Sequence, residues 1–275
     1  MMLPPSFVFS QNNLQDYLDC PRRFQLLHLQ HLAWPAVKTE PYLVMEKRIL
    51  QGEKFHNLVR QAIAGVPPEI LASQIEDVEL EDWWEAWLSY IPSLPQGKRL
   101  SEYSLSIPML GYRLMARYDL IIASPPNTLT IVDWKTNHKR PSSKVLGSRL
   151  QSRIYPLVAI QAGLGLFPGS VHVEVDRLIY WFTAFPDQPE SIPYSSESTK
   201  DDNDYLLNLI NEILHYNESD FPLTEDEQLC RFCVYRSYCR RGDKAGKLEE
   251  IERDDELFLD ATDLPDFDQI NPIDL

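Results

Sequence analysis

The stretch GYRLMARYDLIIASPPNTLTIVDWKTN, residues Gly111 to Asn137, holds two runs rich in aliphatic, β-branched and aromatic residues on either side of Pro125-Pro126-Asn127. Tyr112 to Ala123 and Thr128 to Thr136 therefore read as two antiparallel strands joined at that turn. A further run, Leu100 to Ile107, precedes them across the turn signal Pro108 to Gly111, so the three make a β-meander. Asp119 is flanked by apolar residues on both sides, which predicts burial, and a buried carboxylate without a partner or a cation is costly. Asp133 and Lys135 stand two apart on a strand and project from one face. Asp-x-Lys alone arises about once by chance in a chain of this composition. Its meaning comes from the hairpin, which brings Asp119 opposite Asp133 and so forms the oxygen-rich face that a divalent cation requires.

Working outward, Ser10 is a candidate cap for an amphipathic helix from Gln11 to about His31, interrupted at Pro21. A second helix is expected from about Leu43 to Ala64, stopped by Pro67 and Pro68, with His56 near its centre. Glu81 to Tyr90 reads as a Trp-rich helix within an insertion, at about 66–97, that lies over the core. Glu102 reads as a plain exposed strand position, the alternative being a second carboxylate added to the site. Downstream, Gly147 to Ala162 returns to helical spacing and puts Gln151 and Tyr155 at i, i+4 on one face. Pro156 removes one helical amide there, so a local departure is expected. Val171 to Ala184 reads as another strand and Asp202 to Tyr216 as a helix, with no internal repeat.

The chain has 275 residues, 44% of them hydrophobic and 11% aromatic, enough for a substantial core. No run approaches the ~18 apolar residues of a membrane span, and the first fifteen residues lack a secretory pattern, so a cytoplasmic protein without membrane contact is expected. The formal charge of -15 argues against a surface that coats nucleic acid all over. The charge is segregated, however. Residues 247–275 hold two basic residues against eleven acidic ones, a net of -9 in what reads as a flexible tail. Lys135 to Arg153 carries six Lys or Arg and no acid, and Arg231 to Lys244 carries five against Asp243 alone. Such runs are commonly solvated faces, but they also suit phosphate.

All four cysteines fall into one set: Cys230-x2-Cys233-x5-Cys239, and Cys20 far upstream. Four thiolates suit either tetrahedral zinc or an iron-sulfur cluster, and spacing does not choose between them.

His56, Asp119, Asp133-Trp134-Lys135-Thr136 and Gln151-x3-Tyr155, in that order, resemble the PD-(D/E)XK nuclease superfamily in its RecB-like branch. The resemblance implies a restriction-endonuclease-like α/β core over residues 1–246, with a central mixed β-sheet flanked by helices. It implies metal ligation by His56, Asp119, Asp133 and the main-chain carbonyl of Trp134. It gives Lys135 the task of positioning the attacking water and offsetting phosphorane charge, and Gln151 with Tyr155 that of organising the site and the DNA strand. Leu14-x2-Tyr17-x2-Cys20-Pro21-x2-Phe24, together with the C-terminal cysteines, resembles the iron-sulfur staple of AddB nuclease domains and CRISPR-associated RecB-like exonucleases. That implies a four-iron four-sulfur cluster on Cys20, Cys230, Cys233 and Cys239, with structural zinc as the alternative. Arg149, Arg153, Arg236 and Arg240 would meet DNA phosphates.

The expected function is a Mg2+- or Mn2+-dependent deoxyribonuclease, an exonuclease on single strands or free ends, in repair, recombination or CRISPR-type processing. The alternative is a catalytically silent binding or interaction subunit of a helicase-nuclease or CRISPR complex. With no helicase motif in the chain, a helicase or CRISPR adaptation protein would be a separate partner.

Overall fold

The computed structural model describes residues 3–33, 40–217, 221–231 and 233–242. The acidic tail, residues 247–275, lies outside the described residues. The chain forms two compact units, Met1–Gln11 with Leu50–Phe221, and Asn12–Ile49 with Pro222–Leu275.

The first unit is built on a six-stranded mixed sheet. The strands are β1 (Val8–Phe9), β2 (Lys98–Met109), β3 (Tyr112–Ser124), β4 (Thr128–Lys135), β5 (Glu174–Phe182) and β6 (Glu190–Pro193). The expected meander is present: β2 and β3 pair antiparallel from Met109↔Tyr112 outward, and β3 and β4 from Ser124↔Thr128 to Leu120↔Val132. β5 then returns parallel to β4, and the two-residue β1 adds parallel to β3. This is the mixed sheet flanked by helices expected of a restriction-endonuclease-like core.

The two faces of β4 are sorted by the strand's period of two. Val132 and Trp134 enter an apolar cluster with Phe55, Val59, Trp83, Trp84, Trp87, Leu120 and Trp181. α5 (Val78–Tyr90) contributes Leu80, Trp83, Trp84 and Trp87, the i, i+3, i+4, i+7 stripe of a half-buried helix. The Trp-rich segment is thus a wall of the core rather than a cover over it. Asp77 caps α5, accepting from the Leu80 amide at 3.1 Å.

Asp133 and Lys135 project from the opposite face, toward α7 (Leu150–Ala162), which lies against β2, β3, β4 and β5. α7 runs unbroken through Pro156; the group that loses its helical donor is the Ser152 carbonyl. Short α6 (Ser143–Ser148), capped by Ser142, leads into it, and α8 (Ser196–His215), capped by Ser195, completes this part of the chain.

In the second unit, α1 (Gln11–Asp19, its first residue belonging to the other unit) and α2 (Pro21–Phe24) replace the single interrupted helix expected to about His31. Pro21 opens α2, where its missing amide costs nothing, and leaves Cys20 extended between the helices at φ -163° and ψ 107°. A five-residue π turn, Gln25–Leu29, follows. Leu14, Tyr17 and Phe24 are buried, and the C-terminal segment is tied on by Arg22 N–H to Pro222 O (3.0 Å) and Tyr235 Oη to Leu32 O (2.9 Å). α3 (Glu40–Ile63) begins in this unit, but from Leu50 on it belongs to the first, which therefore holds His56 and the following α4 (Pro68–Ala72). Among the described residues, no helix is long and apolar enough to cross a membrane.

Candidate active site

The β3–β4 ladder ends at Leu120↔Val132. The next register positions are Asp119 and Asp133, so the hairpin does bring the two carboxylates to one level of the sheet. They are used differently. Asp119, 8% exposed, accepts the Trp134 amide on Oδ2 at 2.8 Å, and its Oδ1 lies 3.2 Å from His56 Nδ1. Asp133, 1% exposed, accepts Gln151 Nε2 on Oδ1 at 2.5 Å and faces Lys135 Nζ from Oδ2 at 2.8 Å. Lys135 Nζ also donates to Gln151 Oε1 at 3.0 Å and stands 5.6 Å from the centre of the Tyr180 ring. Asp133, Lys135 and Gln151 therefore form a closed triangle, each side chain bonded to the other two and each about 1% exposed.

An ammonium this deeply buried persists only with its charge matched and its protons placed. Tyr155, one turn beyond Gln151, packs on Tyr118 with ring centres 4.9 Å apart, while Tyr118 Oη donates to the Tyr155 carbonyl at 2.8 Å. Burial, reinforced by the negative charge of Asp133 and Asp119, pushes the Tyr155 hydroxyl well above its ordinary range, so it remains a proton donor. Tyr180 is likewise raised, first by burial and then by Asp133, and shares a 2.8 Å hydrogen bond with Ser152.

Glu102 differs from its expected role as an exposed strand residue. One ligand atom each from His56, Glu102 and Asp119 lies within 4.8 Å of the others, the arrangement of a cation site. The Glu102 side chain is 19% exposed and accepts Arg117 Nε at 2.8 Å. Burial, and then repulsion from Asp119, raise its carboxyl above the ordinary value against the opposing pull of Arg117 and His56. Strand alternation missed it because the alternation slips here. Leu120 enters the Trp-lined cluster, yet Tyr118, two residues before it, packs on α7.

The four cysteines come together in the second unit. Cys20, Cys230, Cys233 and Cys239 line one pocket with Arg23, Leu223, Thr224, Leu229, Tyr235 and Arg236. Burial first, and the neighbouring thiols next, raise the pKa values of the Cys230 and Cys239 thiols, that of Cys239 to about 11. Cys233 is raised by burial too, against the pull of a backbone hydrogen bond and of Arg23. Arg23 is missed by motif reading; it bonds Asp16 and Asp19 at 2.6 Å each, and Asp16 also meets His28 Nε2 at 2.6 Å.

The arginines expected at phosphates are placed variously. Arg149 is half-buried at the start of α7, and Arg240 is exposed. Arg153 pairs with Asp202 at 2.6 Å and lies over the Tyr205 ring. Arg236, 8% exposed, donates to the Cys233 carbonyl at 3.3 Å.

Comparison with known proteins agrees with this geometry. A family model described as the PD-(D/E)XK nuclease superfamily matches residues 8–240. Among solved structures, a presumed exonuclease from Eubacterium rectale superposes with a TM-score of 0.51 at 9% identity, covering 87% of this chain and 90% of its own. The structure of SSO0001 aligns over 87% of each chain at 12% identity, with a TM-score of 0.40 that is too low to carry an argument. No protein of curated function matches the sequence.

Proposed function

Because the chain belongs to the PD-(D/E)XK nuclease superfamily, we propose that it is a divalent-metal-dependent deoxyribonuclease that degrades single strands or free ends. The observation that carries this reading is the buried Lys135–Asp133–Gln151 triangle beside the converging donors of His56 and Asp119. A matched ammonium and carboxylate 1% exposed serve no need of the fold that two apolar side chains would not meet as well. Beside a cation site they supply what phosphodiester hydrolysis demands, namely a fixed positive charge and a proton acceptor.

His56, Asp119, Asp133 and the Trp134 carbonyl would hold the cation. One imidazole with carboxylate oxygens suits Mg2+ or Mn2+. When bound, such an ion supplies Lewis acidity at the phosphoryl group and acidifies water. The Lys135 ammonium offsets negative charge developing on the phosphoryl oxygens. Gln151 orients it, and must release one of its two bonds when a phosphate enters. The Tyr155 hydroxyl, held protonated, donates to the strand or to the site's carboxylates. Arg149 and Arg240 would meet strand phosphates.

The same reading takes the cysteine pocket to hold a four-iron four-sulfur cluster joining the two chain segments of the second unit. It is supported by the four thiols lining one pocket. A four-iron cluster takes one thiolate per iron, the number of sulfurs gathered there.

The test is digestion of end-labelled linear and of circular single-stranded DNA with Mg2+ or Mn2+. Metal-dependent loss of the linear strand with the circle intact is expected. Cutting of circles would replace exonuclease with endonuclease action, and no product from either would favour a binding subunit.

A further inference from the structure

Glu102 occupies a backbone conformation that its residue type disfavours. It lies within β2 at φ 50°, in the left-handed region where glycine is at ease and a residue carrying a Cβ is not. The β2–β3 ladder pairs Ser101 with Leu120 and Tyr103 with Tyr118, and omits the intervening pair, Glu102 with Asp119. The register is the same on both sides, so no residue has been inserted. The ladder simply gives up one pair where these two acids meet.

The consequence is a carboxylate brought toward another carboxylate. A ligand atom of Glu102 falls within 4.8 Å of those of both His56 and Asp119, with side chains no more than 19% exposed. Arg117 answers part of the charge at 2.8 Å, but it is 58% exposed and well screened. Strain and like-charge repulsion at one residue are explained together if the missing component is a cation.

We propose that Glu102 is a side-chain ligand of the divalent cation, converging with His56 and Asp119 and adding a donor to the set that Asp133 and the Trp134 carbonyl would share. The inference rests on the cation site proposed above and adds to it a residue, a charge and a selectivity. An imidazole among the carboxylates favours Mn2+ over Ca2+, which prefers an all-oxygen, larger and looser shell.

The experiment is titration of the full chain with Mn2+ alone, read by the electron paramagnetic resonance of the free ion, for the parent, Asp119→Ala, Glu102→Gln and Glu102→Gly. Both Glu102 variants should weaken Mn2+ binding at least about tenfold, as the loss of a charged oxygen ligand requires. Glu102→Gly suits the left-handed backbone, so in EDTA it should melt no lower than the parent, which separates loss of a ligand from loss of the fold. If Asp119→Ala loses Mn2+ while both Glu102 variants bind as the parent does, the role of Glu102 is overturned and the site stands. If Asp119→Ala binds like the parent, the cation site itself is misplaced and the proposal falls with it.

Discussion

Replacing Lys135 by methionine keeps most of the side-chain volume and deletes the charge, so its cost is electrostatic. The ammonium bridges Asp133 Oδ2 at 2.8 Å and Gln151 Oε1 at 3.0 Å. Without it Asp133, 1% exposed, keeps the bond from Gln151 Nε2 and has no matching charge within the triangle. Removing one member of a buried ion pair costs about 3 to 5 kcal/mol. With a urea dependence of about 2 to 3 kcal/mol per molar, the midpoint should fall by about 1 to 2.5 M. The double variant Asp133→Asn, Lys135→Met removes the stranded charge and leaves an amide able to bond Gln151. It should recover at least about 2 kcal/mol of the loss. The assay is urea unfolding at pH 7 in EDTA, followed by tryptophan fluorescence, since Trp134 sits between the two residues in sequence. A single variant within about 0.5 kcal/mol of the parent, or a double variant no more stable than the single, would refute the closed triangle. Cleavage should be lost in both, because neither retains the cation at position 135.

Three further outcomes follow from other parts of the molecule. Trp84→Ala, which empties a fully buried position in the Trp-lined cluster, should destabilise the chain by about 3 to 5 kcal/mol, measured by the same unfolding. Burial opposes ionisation of Asp16, but Arg23 and His28 outweigh it and hold its carboxyl below the ordinary carboxylate range. A depressed carboxyl gives stability that is complete above its unfolded value of about 3.9 and lost as pH falls through the lower folded value. Thermal melts between pH 6 and 3 should therefore show an acid limb that Asp16→Asn flattens, and an unchanged limb would contradict the network. Protein prepared without oxygen should be brown with about four irons per chain, and Cys20→Ser should lose the colour; a colourless protein with one zinc would replace the cluster by a zinc staple.

Much of this architecture could be read from residues. The meander was legible because Pro108 to Gly111 and Pro125-Pro126-Asn127 bracket runs whose composition suits only strands. Asp119 was legible because burial of charge inside an apolar run demands a partner, whereas the grouping of His56, Asp133, Lys135 and Gln151 with it came from the family resemblance; Asp119 meets the Trp134 amide and His56, while Gln151 bonds both Asp133 and Lys135. What escaped is what periodicity does not encode. β1 has two residues and β6 four exposed or half-buried ones, too few to show alternation. For Glu102 an exposed position was favoured over a second site carboxylate, because its approach to the site comes from a positive φ and a dropped ladder pair. The Trp-rich helix was found, but its place in the core depended on noticing the 80, 83, 84, 87 stripe rather than the acidic residues between.

The most direct test of the central claim is single-turnover cleavage of a 5′-labelled single strand with Mn2+, comparing the parent with Asp119→Ala and Lys135→Ala taken through the same purification. The parent should release labelled product only when the metal is present, and each variant should be slower by at least about 100-fold, as loss of charge acting on the transition state requires. Equal rates for parent and variants would assign the cleavage elsewhere and contradict the site described above.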